Sequence, residues 1–256
     1  MPKYIAEMPL KTTEIIIQPR AYPKGFRLGT HVHSQAQLLY SASGLMNVAT
    51  PKGIFLVPPQ RACWIPPNIE HSVDVLADID MKNIYLERSW INKNSLNPQL
   101  NHEYVVEVTD LLRELILAAF EPGIEEHKLH LLMQLVLLEL PEAKDVATFL
   151  PMPLDSRARK VAENALSDKK CLKSFDELCI DANCSNRTMS RIFLEDTSLN
   201  FREWRQRARI MNALQSLQFN QKSIKQISFD LGFSSSAAFA HAFKEVTGKS
   251  PTAYKS

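Results

Sequence analysis

The sequence has few cysteines, and none of them is arranged to bind zinc. The four cysteines are Cys63, Cys171, Cys179 and Cys184. They form no CxxC pair, and no histidine lies at the spacing of a zinc partner. We therefore expect buried, reduced thiols and neither a zinc site nor a disulfide.

A hydrophobic run long enough to cross a membrane is also missing. The most apolar stretch, residues 129–140, is too short and contains Gln134 and Glu139. The N-terminus has no apolar run preceded by positive charge, which a secretory signal peptide would have. These absences predict a cytoplasmic protein without a membrane partner.

An excess of positive charge is absent from the first part of the chain. The formal net charge is +2, but residues 153–256 carry 17 Lys and Arg against 11 Asp and Glu, which leaves 13 against 17 for the rest. A basic C-terminal part behind an acidic N-terminal part is typical of a nucleic-acid-binding module joined to a module of another kind. A length of 256 residues allows one large domain or two ordinary ones.

The clearest pattern lies in residues 223–254. Apolar residues at helical spacing mark a first helix: Ile224, Ile227 and Leu231. Gly232 then ends it, because glycine tolerates positive φ, and Ser235 can cap a second helix. That second helix has an apolar stripe at Phe239 and Phe243. The pattern predicts a helix-turn-helix, although an ordinary helical hairpin would look similar.

Residues 174–204 repeat this pattern about fifty residues earlier. The aligned pairs are Leu178 with Ile227, Asn183 with Gly232, Ser185 with Ser235, Met189 with Phe239, and Phe193 with Phe243. One residue inserted in the turn of the second copy absorbs the difference in spacing. Two copies are too few for a solenoid, which needs at least three. They suit a DNA-binding protein with two recognition helices.

The stretch SIKQISFDLGFSSSAAFAHAFKEVTGKSPTAY resembles, over its whole length, the signature of the DNA-binding domain of AraC-type transcription regulators. The first copy departs from that family at Ser198, where the family usually has glycine, so we expect its second helix to be less well capped. The resemblance implies a sequence-specific transcription regulator. Its partners would be double-stranded DNA and, if it activates, RNA polymerase.

Residues 1 to about 90 form a series of short apolar runs separated by turn residues, which predicts a sandwich or barrel. A patterned set lies within them: Gly25, His31, His33, Gln37 and Gly44, then Pro66, Asn68 and His71. These residues resemble the two motifs of the cupin barrel. Gln37 departs from the Glu of metal-binding cupins, and Asn68 departs from the usual Gly. The same region also resembles the sensor domain of a cupin-bearing subgroup of AraC-type regulators.

The periodicity becomes helical from about Glu103. One helix is expected from about Val106 to Phe120 and a second from Ile124 to Leu140, and the second is apolar on more than one face. Packing on the barrel alone would be the simplest cover for it. The resemblance implies instead that these helices meet those of a second subunit in a homodimer.

The predicted fold class is α+β, with an N-terminal cupin-like β-barrel, helices after it, and an all-α C-terminal domain with two helix-turn-helix motifs. The expected boundaries are 1–100 for the effector-sensing barrel, 101–142 for the helical dimerisation segment, 143–153 for the linker and 154–256 for the DNA-binding domain. The two motifs are expected at about 174–195 and 223–245.

Exposed residues near the start of each recognition helix are the candidate DNA-binding residues. They are Asn186, Arg187, Ser190 and Arg191 in the first copy, and Ser236, Ala237, Ala240, His241 and Lys244 in the second. Arginine bound to guanine is the commonest specific contact, although the arginines could instead bind only phosphates. The second copy offers smaller side chains, so it is expected to add positioning and affinity through Lys244 more than sequence information.

The histidines are the candidate ligand site. His31 and His33 lie two apart on a predicted strand and so face the same way, and His71 joins them if the cupin prediction holds. Three imidazoles with an open position suit a divalent transition metal, although Gln37 is a poorer ligand than Glu. The alternative is a polar pocket that binds a small organic effector without metal. Further candidate effector contacts are Tyr40, Arg61 and Trp64, with core packing as the alternative for Tyr40 and Trp64.

Two functions are compatible with these patterns. One is a transcription regulator with a barrel sensor, dimerising helices and two recognition helices. The other is a cupin metalloenzyme, a dioxygenase or isomerase, with a helical appendage. The repeat and the charge asymmetry favour the regulator, and an enzyme would be expected to keep the metal ligand that Gln37 replaces. No residue is assigned a catalytic role.

Overall fold

The computed structural model describes residues 10–11, 14–59, 61–95, 97–140, 148–168, 170, 172–219, 222–248 and 250–254. The chain divides into two compact units, Met1–Thr50 with Phe55–Val146, and Pro51–Ile54 with Ala147–Ser256. Residues 143–147 of the expected linker lie outside the described residues, as does Cys171.

The first unit is built on an antiparallel sheet. Its strands are β1 (Leu10–Lys11), β2 (Ile15–Tyr22), β3 (Arg27–His31), β4 (Ala36–Thr50), β5 (Gly53–Val57, whose first two residues belong to the second unit), β6 (Arg61–Ile65), β7 (His71–Leu86) and β8 (Tyr104–Glu107). The long strands β4 and β7 pair with each other, and β7 also pairs with β2 and β3. On its other side, β4 pairs with β6, which pairs with β8. The sheet therefore brings β3, β4 and β7 together, so that His31 at the end of β3 and His71 at the start of β7 lie near Gln37 of β4, while His33 lies in the loop between β3 and β4.

Glycine is required where β4 bends. The pairing of β4 with β7 shifts register between Ser41 and Met46, and Gly44 lies within this bend with a φ of 89°. A Cβ on Gly44 would lie 2.3 Å from the backbone oxygen of Asp78, so no larger residue fits. Asn68, which departs from the cupin pattern, has a φ of 63°, and asparagine tolerates this conformation better than most residues.

Three helices cover one face of this sheet. They are α1 (Arg88–Asn94), α2 (Asp110–Ala119) and α3 (Glu126–Glu139), with a 3₁₀ turn at Pro98–Asn101. Sheet residues such as Tyr40 and Trp64 pack with helix residues such as Leu112 and Met133 in one core.

The prediction of a helix from about Val106 was wrong at its start. Tyr104–Glu107 is strand β8, and Val105 pairs with Cys63 of β6. The two β-branched valines fit a buried strand, so pairing with β6 decides the local conformation. Helix α1 was also missed, because strands and turns were expected up to about residue 90 and no helix before about Val106.

The second unit is helical after one short strand. Its elements are β9 (Phe149–Pro151), α4 (Ser156–Ser167), α5 (Phe175–Asp181), α6 (Asn186–Thr197), α7 (Phe201–Phe219), α8 (Ile224–Asp230), α9 (Ser236–Thr247) and a 3₁₀ turn at Pro251–Tyr254. The pairs α5–α6 and α8–α9 are the two predicted helix-turn-helix motifs. Helix α7 joins them and buries an apolar stripe that includes Trp204, Met211 and Leu217.

Candidate functional site

The two helix-turn-helix motifs use the same local devices. Each first helix begins with a capping box, formed by Ser174 with Glu177 in α5 and by Ser223 with Gln226 in α8. The turns pass through positive φ, at 52° for Asn183 and 71° for the aligned glycine of the second copy. These local interactions fix the start and the direction of each recognition helix.

Helix α6 presents a polar outer face. Ser185 caps it by accepting a hydrogen bond from the amide of Thr188, and Met189, Ile192 and Phe193 point inward and are buried. The predicted DNA-binding residues are all exposed: Asn186, Arg187, Ser190 and Arg191.

The exposed side chains of α6 differ in how they are held. Arg191 forms an ion pair with Glu195 at 3.0 Å, and Asn186 donates to Asp176 of α5. Within the described part of the chain, Arg187 has no ion-pair partner. Arg187 is therefore the α6 arginine that can turn to a base edge without giving up an existing contact.

Helix α9 offers less to a base edge. Ala237, His241 and Lys244 are exposed, whereas Ser236 and Ala240 are half-buried. The imidazole of His241 lies 3.5 Å from a carboxylate oxygen of Glu245. Lys244 is thus the exposed cation of this face, as expected for phosphate contact.

Two arginines of α7 hold the fold of this unit. The guanidinium of Arg209 lies 3.5 Å from the ring centroid of Phe233 and donates to the backbone oxygen of Leu231 at 2.8 Å, so it holds the second turn. Arg205 forms a largely buried ion pair with Asp168 at 3.1 Å. The sequence showed the charges but not these structural roles, because each partner comes from a different segment.

The three predicted histidines do lie together. His31 and His71 are cross-strand partners on β3 and β7, with ring centroids 4.3 Å apart, and the rings of His33 and His71 are 5.0 Å apart. One nitrogen from each ring lies within 4.8 Å of the other two. We call His31, His33, His71 and Gln37 the histidine cluster.

Backbone carbonyls fix the tautomer of each imidazole. The Nδ1 atoms of His31, His33 and His71 lie 2.8, 2.7 and 2.9 Å from the backbone oxygens of Gly29, Gln35 and Ile69. A carbonyl oxygen only accepts, so each Nδ1 carries the hydrogen. In the neutral rings, each Nε2 therefore presents a lone pair.

A second chain of hydrogen bonds fixes the amide of Gln37. The backbone oxygen of Gln18 accepts from Asn83 Nδ2 at 3.3 Å, which turns Asn83 Oδ1 toward Gln37. Gln37 Nε2 donates to Asn83 Oδ1 at 3.1 Å and to the hydroxyl of Tyr85 at 3.0 Å. Gln37 Oε1 therefore faces the histidines, 3.0 Å from His33 Nε2 and 3.1 Å from His71 Nε2.

These orientations place the acceptor atom Gln37 Oε1 against the Nε2 atoms of His33 and His71, which in the neutral rings are also acceptors. Lone pairs of His33, His71 and Gln37 converge at 3.0–3.1 Å, and burial lowers the pKa of His71 to about 4, so that ring is neutral at pH 7. Two ligand atoms about 2.1 Å from one metal ion and at right angles to each other are about 3.0 Å apart. The donor set therefore fits a divalent transition metal, with Gln37 as an oxygen ligand.

Two of the predicted effector contacts lie elsewhere. Tyr40 and Trp64 are fully buried in the core against the helices, and Trp64 Nε1 donates to the backbone oxygen of Leu100. Side chains alternate along a strand, so Tyr40 lies on the opposite face of β4 from Gln37. The prediction that Tyr40 and Trp64 contact the effector is therefore wrong, and core packing, the alternative, is confirmed. Arg61 is half-buried at the start of β6.

Comparison with known proteins shows the family to which the chain belongs. Residues 17–136 match the AraC-like ligand binding domain, and residues 178–256 match a helix-turn-helix domain. The chain belongs to the AraC family of transcription regulators. The HTH-type transcriptional regulator NimR of Escherichia coli (strain K12) is 27% identical over 227 residues, which cover 88% of this chain and 81% of that protein. RipA of Corynebacterium glutamicum is 32% identical over 104 residues, which cover 41% of this chain and 31% of that protein.

Among solved structures, unsaturated fatty acid bound ToxT from Vibrio cholerae strain SCE256 aligns over 95% of each chain, with 15% identity and a TM-score of 0.40. The two family matches and the likeness to NimR show that this AraC-type chain is a DNA-binding transcription regulator with an N-terminal ligand-binding domain, as predicted. Membership in a family of regulators favours that function over the metalloenzyme. Among the described helices of this AraC-type regulator, none is both long and apolar enough to span a membrane.

One apolar face of the regulator's first unit is exposed. Leu131, Leu135 and Leu138 of α3 are 48%, 46% and 74% exposed, and their spacing places them on one side of the helix. Val136 of the same helix is buried on the inner face, and Leu132 packs against the core.

Proposed function

We propose that the chain binds operator DNA as a homodimer and changes transcription when a small molecule binds at the histidine cluster. The observation that carries this proposal is the convergence of three fixed imidazoles and one fixed amide on one point. Polar side chains held in this way by backbone atoms are typical of a ligand site. We propose further that the cluster holds a divalent transition metal ion through His31, His33 and His71, with Gln37 beside them.

DNA recognition is proposed to be unequal between the two motifs. The exposed arginines of α6 can reach guanine edges, whereas the small residues of α9 leave Lys244 to contact phosphate. We expect the two helices to enter successive major grooves, about 34 Å apart. If the protein activates, RNA polymerase is a further partner.

The dimer is proposed to form through α3. Leu131, Leu135 and Leu138 form a stripe that this unit does not cover, and symmetric pairing of two such stripes would bury both. Most of the resulting contact would be apolar, so assembly should be insensitive to salt.

The sensor role is tested with the full-length protein. Genomic DNA recovered with the protein identifies a target promoter, which is fused to a reporter and exposed to candidate inducers. His33→Ala should lose the response while its DNA binding in gel shifts is retained, and His102→Ala, an exposed histidine outside the cluster, should respond normally. Metal content is measured on the same preparations. A His31→Ala, His33→Ala double variant with a normal response would show that the cluster is only structural.

A further inference from the structure

The histidine cluster offers a metal ion no negative charge. The carbonyl partners of His31, His33 and His71 leave each Nε2 as the nitrogen that would bind an ion, and a histidine that binds through Nε2 is a neutral ligand, as is the amide oxygen of Gln37. A divalent ion held by these four groups keeps its full charge of 2+. We infer that the molecule sensed at this cluster is an anion, a small carboxylate or similar oxyanion, which completes the coordination of the ion. This inference rests on the metal site proposed above.

The neutrality of the cluster is built into the surrounding strands. Asn83 Oδ1 faces position 37 because Asn83 Nδ2 is already committed to the backbone oxygen of Gln18. An oxygen acceptor in that place selects a side chain with an N–H donor. A glutamate at position 37 would present an oxygen to Asn83 Oδ1, so the network specifies an amide.

A positive side chain, Arg20, lies on the same face of the sheet as Gln37. Gln18 and Asn83 are paired across β2 and β7, so Arg20, two residues further along β2, projects from the same face of the sheet. Arg20 is close enough to Tyr85, which contacts Gln37, to oppose electrostatically the rise in the pKa of Tyr85 that burial causes. The partners of the three imidazoles and of Gln37 are backbone carbonyls, Asn83 and Tyr85, and none of these is a carboxylate.

Physical chemistry then favours an anion as the sensed molecule. A dication in a partly desolvated site is costly unless a negative charge compensates it. A metal ion with three histidine ligands normally keeps an open position for water or another ligand. An anion at that position would compensate the charge of the ion, and Arg20 on the same face of the sheet would add attraction. A neutral molecule of the same shape would gain neither interaction.

The test uses Co²⁺ as the metal, acetate as the anion and acetamide as its neutral counterpart. Full-length protein is loaded with Co²⁺, and the visible absorption bands of the ion are followed during titration with each probe. We expect acetate to shift the bands and saturate while acetamide does not. Because coupling between two ligands is reciprocal, Co²⁺ and acetate should raise each other's affinity by the same factor, about 5- to 150-fold.

Two variants separate the charge of the cluster from its shape. Gln37→Glu should bind Co²⁺ more tightly and acetate about tenfold more weakly, since the carboxylate replaces the missing charge. Arg20→Gln should weaken acetate alone and leave Co²⁺ affinity unchanged, and circular dichroism checks that both variants are folded. Equal binding of acetate and acetamide, or unchanged acetate affinity in both folded variants, would overturn the inference. A wild-type protein that takes up no Co²⁺ overturns the metal site itself, and this is seen before any anion is added.

Discussion

Ser198 should weaken the first helix-turn-helix by a measurable amount. It ends α6 in the left-handed conformation, with φ 58° and ψ 16°, and Gly248 ends α9 in the same way, with φ 74° and ψ −8°. A residue with a Cβ costs about 1–2 kcal/mol in this conformation. Glycine avoids this cost, but its greater conformational freedom in the unfolded chain offsets about 0.4–1 kcal/mol of the gain in stability. Ser198→Gly should therefore stabilise the second unit by about 1 kcal/mol.

The reverse substitution is a matched control. A Cβ on Gly248 would meet no atom within 4 Å among the described residues, so Gly248→Ser tests the backbone conformation alone and should cost about the same amount. Hydrogen exchange read by mass spectrometry reports the opening free energy of α6 and α9 separately from the barrel. If Ser198→Gly left exchange in α6 unchanged, or if Gly248→Ser slowed exchange in α9, the strain argument would be wrong.

DNA reading, assembly and acid stability can each be tested with a single substitution. Arg187→Ala should lower the preference for operator over random DNA by about 10- to 100-fold. Lys244→Ala should weaken binding to operator and to random DNA equally, and should reduce the slope of log binding constant against log salt concentration by about 1. If both variants changed the preference equally in gel shifts, the two helices would not have unequal roles in recognition. Leu135→Arg should sediment as a monomer while Leu154→Arg, an exposed leucine of the other unit, stays a dimer; a monomeric wild type, with and without DNA, would refute the α3 interface. The folded-state pKa of His71 lies at about 4, below its ordinary 6.5, so in metal-free protein its contribution is complete above pH 6.5 and is lost as the pH falls toward 4. The loss should reach at most about 3 kcal/mol in urea titrations and should be absent from His71→Gln.

The helix-turn-helix motifs could be predicted closely because their signals are local. A serine cap bonds to an amide three residues ahead, and a residue with positive φ ends a helix within one turn. Ser185, Asn183 and Phe193 therefore lie where their spacing placed them. The roles of Arg205 and Arg209 could not be predicted in this way, because Asp168 and Phe233 are brought to them only by the packing of separate helices.

The barrel pocket was predicted in part. His31 and His33 were predicted to share one face of a strand, but β3 ends at His31 and the loop after it carries His33 to the cluster. Tyr40 was assigned to the pocket although it lies three residues from Gln37 and so on the other face of the strand. This error could have been avoided from the sequence alone, because side-chain alternation along the predicted strand separates Tyr40 from Gln37. Asn83 and Tyr85 were missed for a different reason, since their alternation in MKNIYLE becomes meaningful only once the pairing of β7 with β4 places them opposite Leu39 and Gln37.

The two motifs differ mainly where they face outward. The ion pairs Lys173–Asp181 and Lys222–Asp230 lie at the same place in both copies, as do the capping boxes that precede the turns. The inserted residue falls between the turn and the cap, because the turn amides of Asn183 and Gly232 bond alike to oxygens three residues back. Contacts that build the fold therefore recur, whereas the side chains that would meet bases do not. Under the proposed division of roles, this separation would let the first motif carry sequence information while the second, with the same fold, supplies position and affinity.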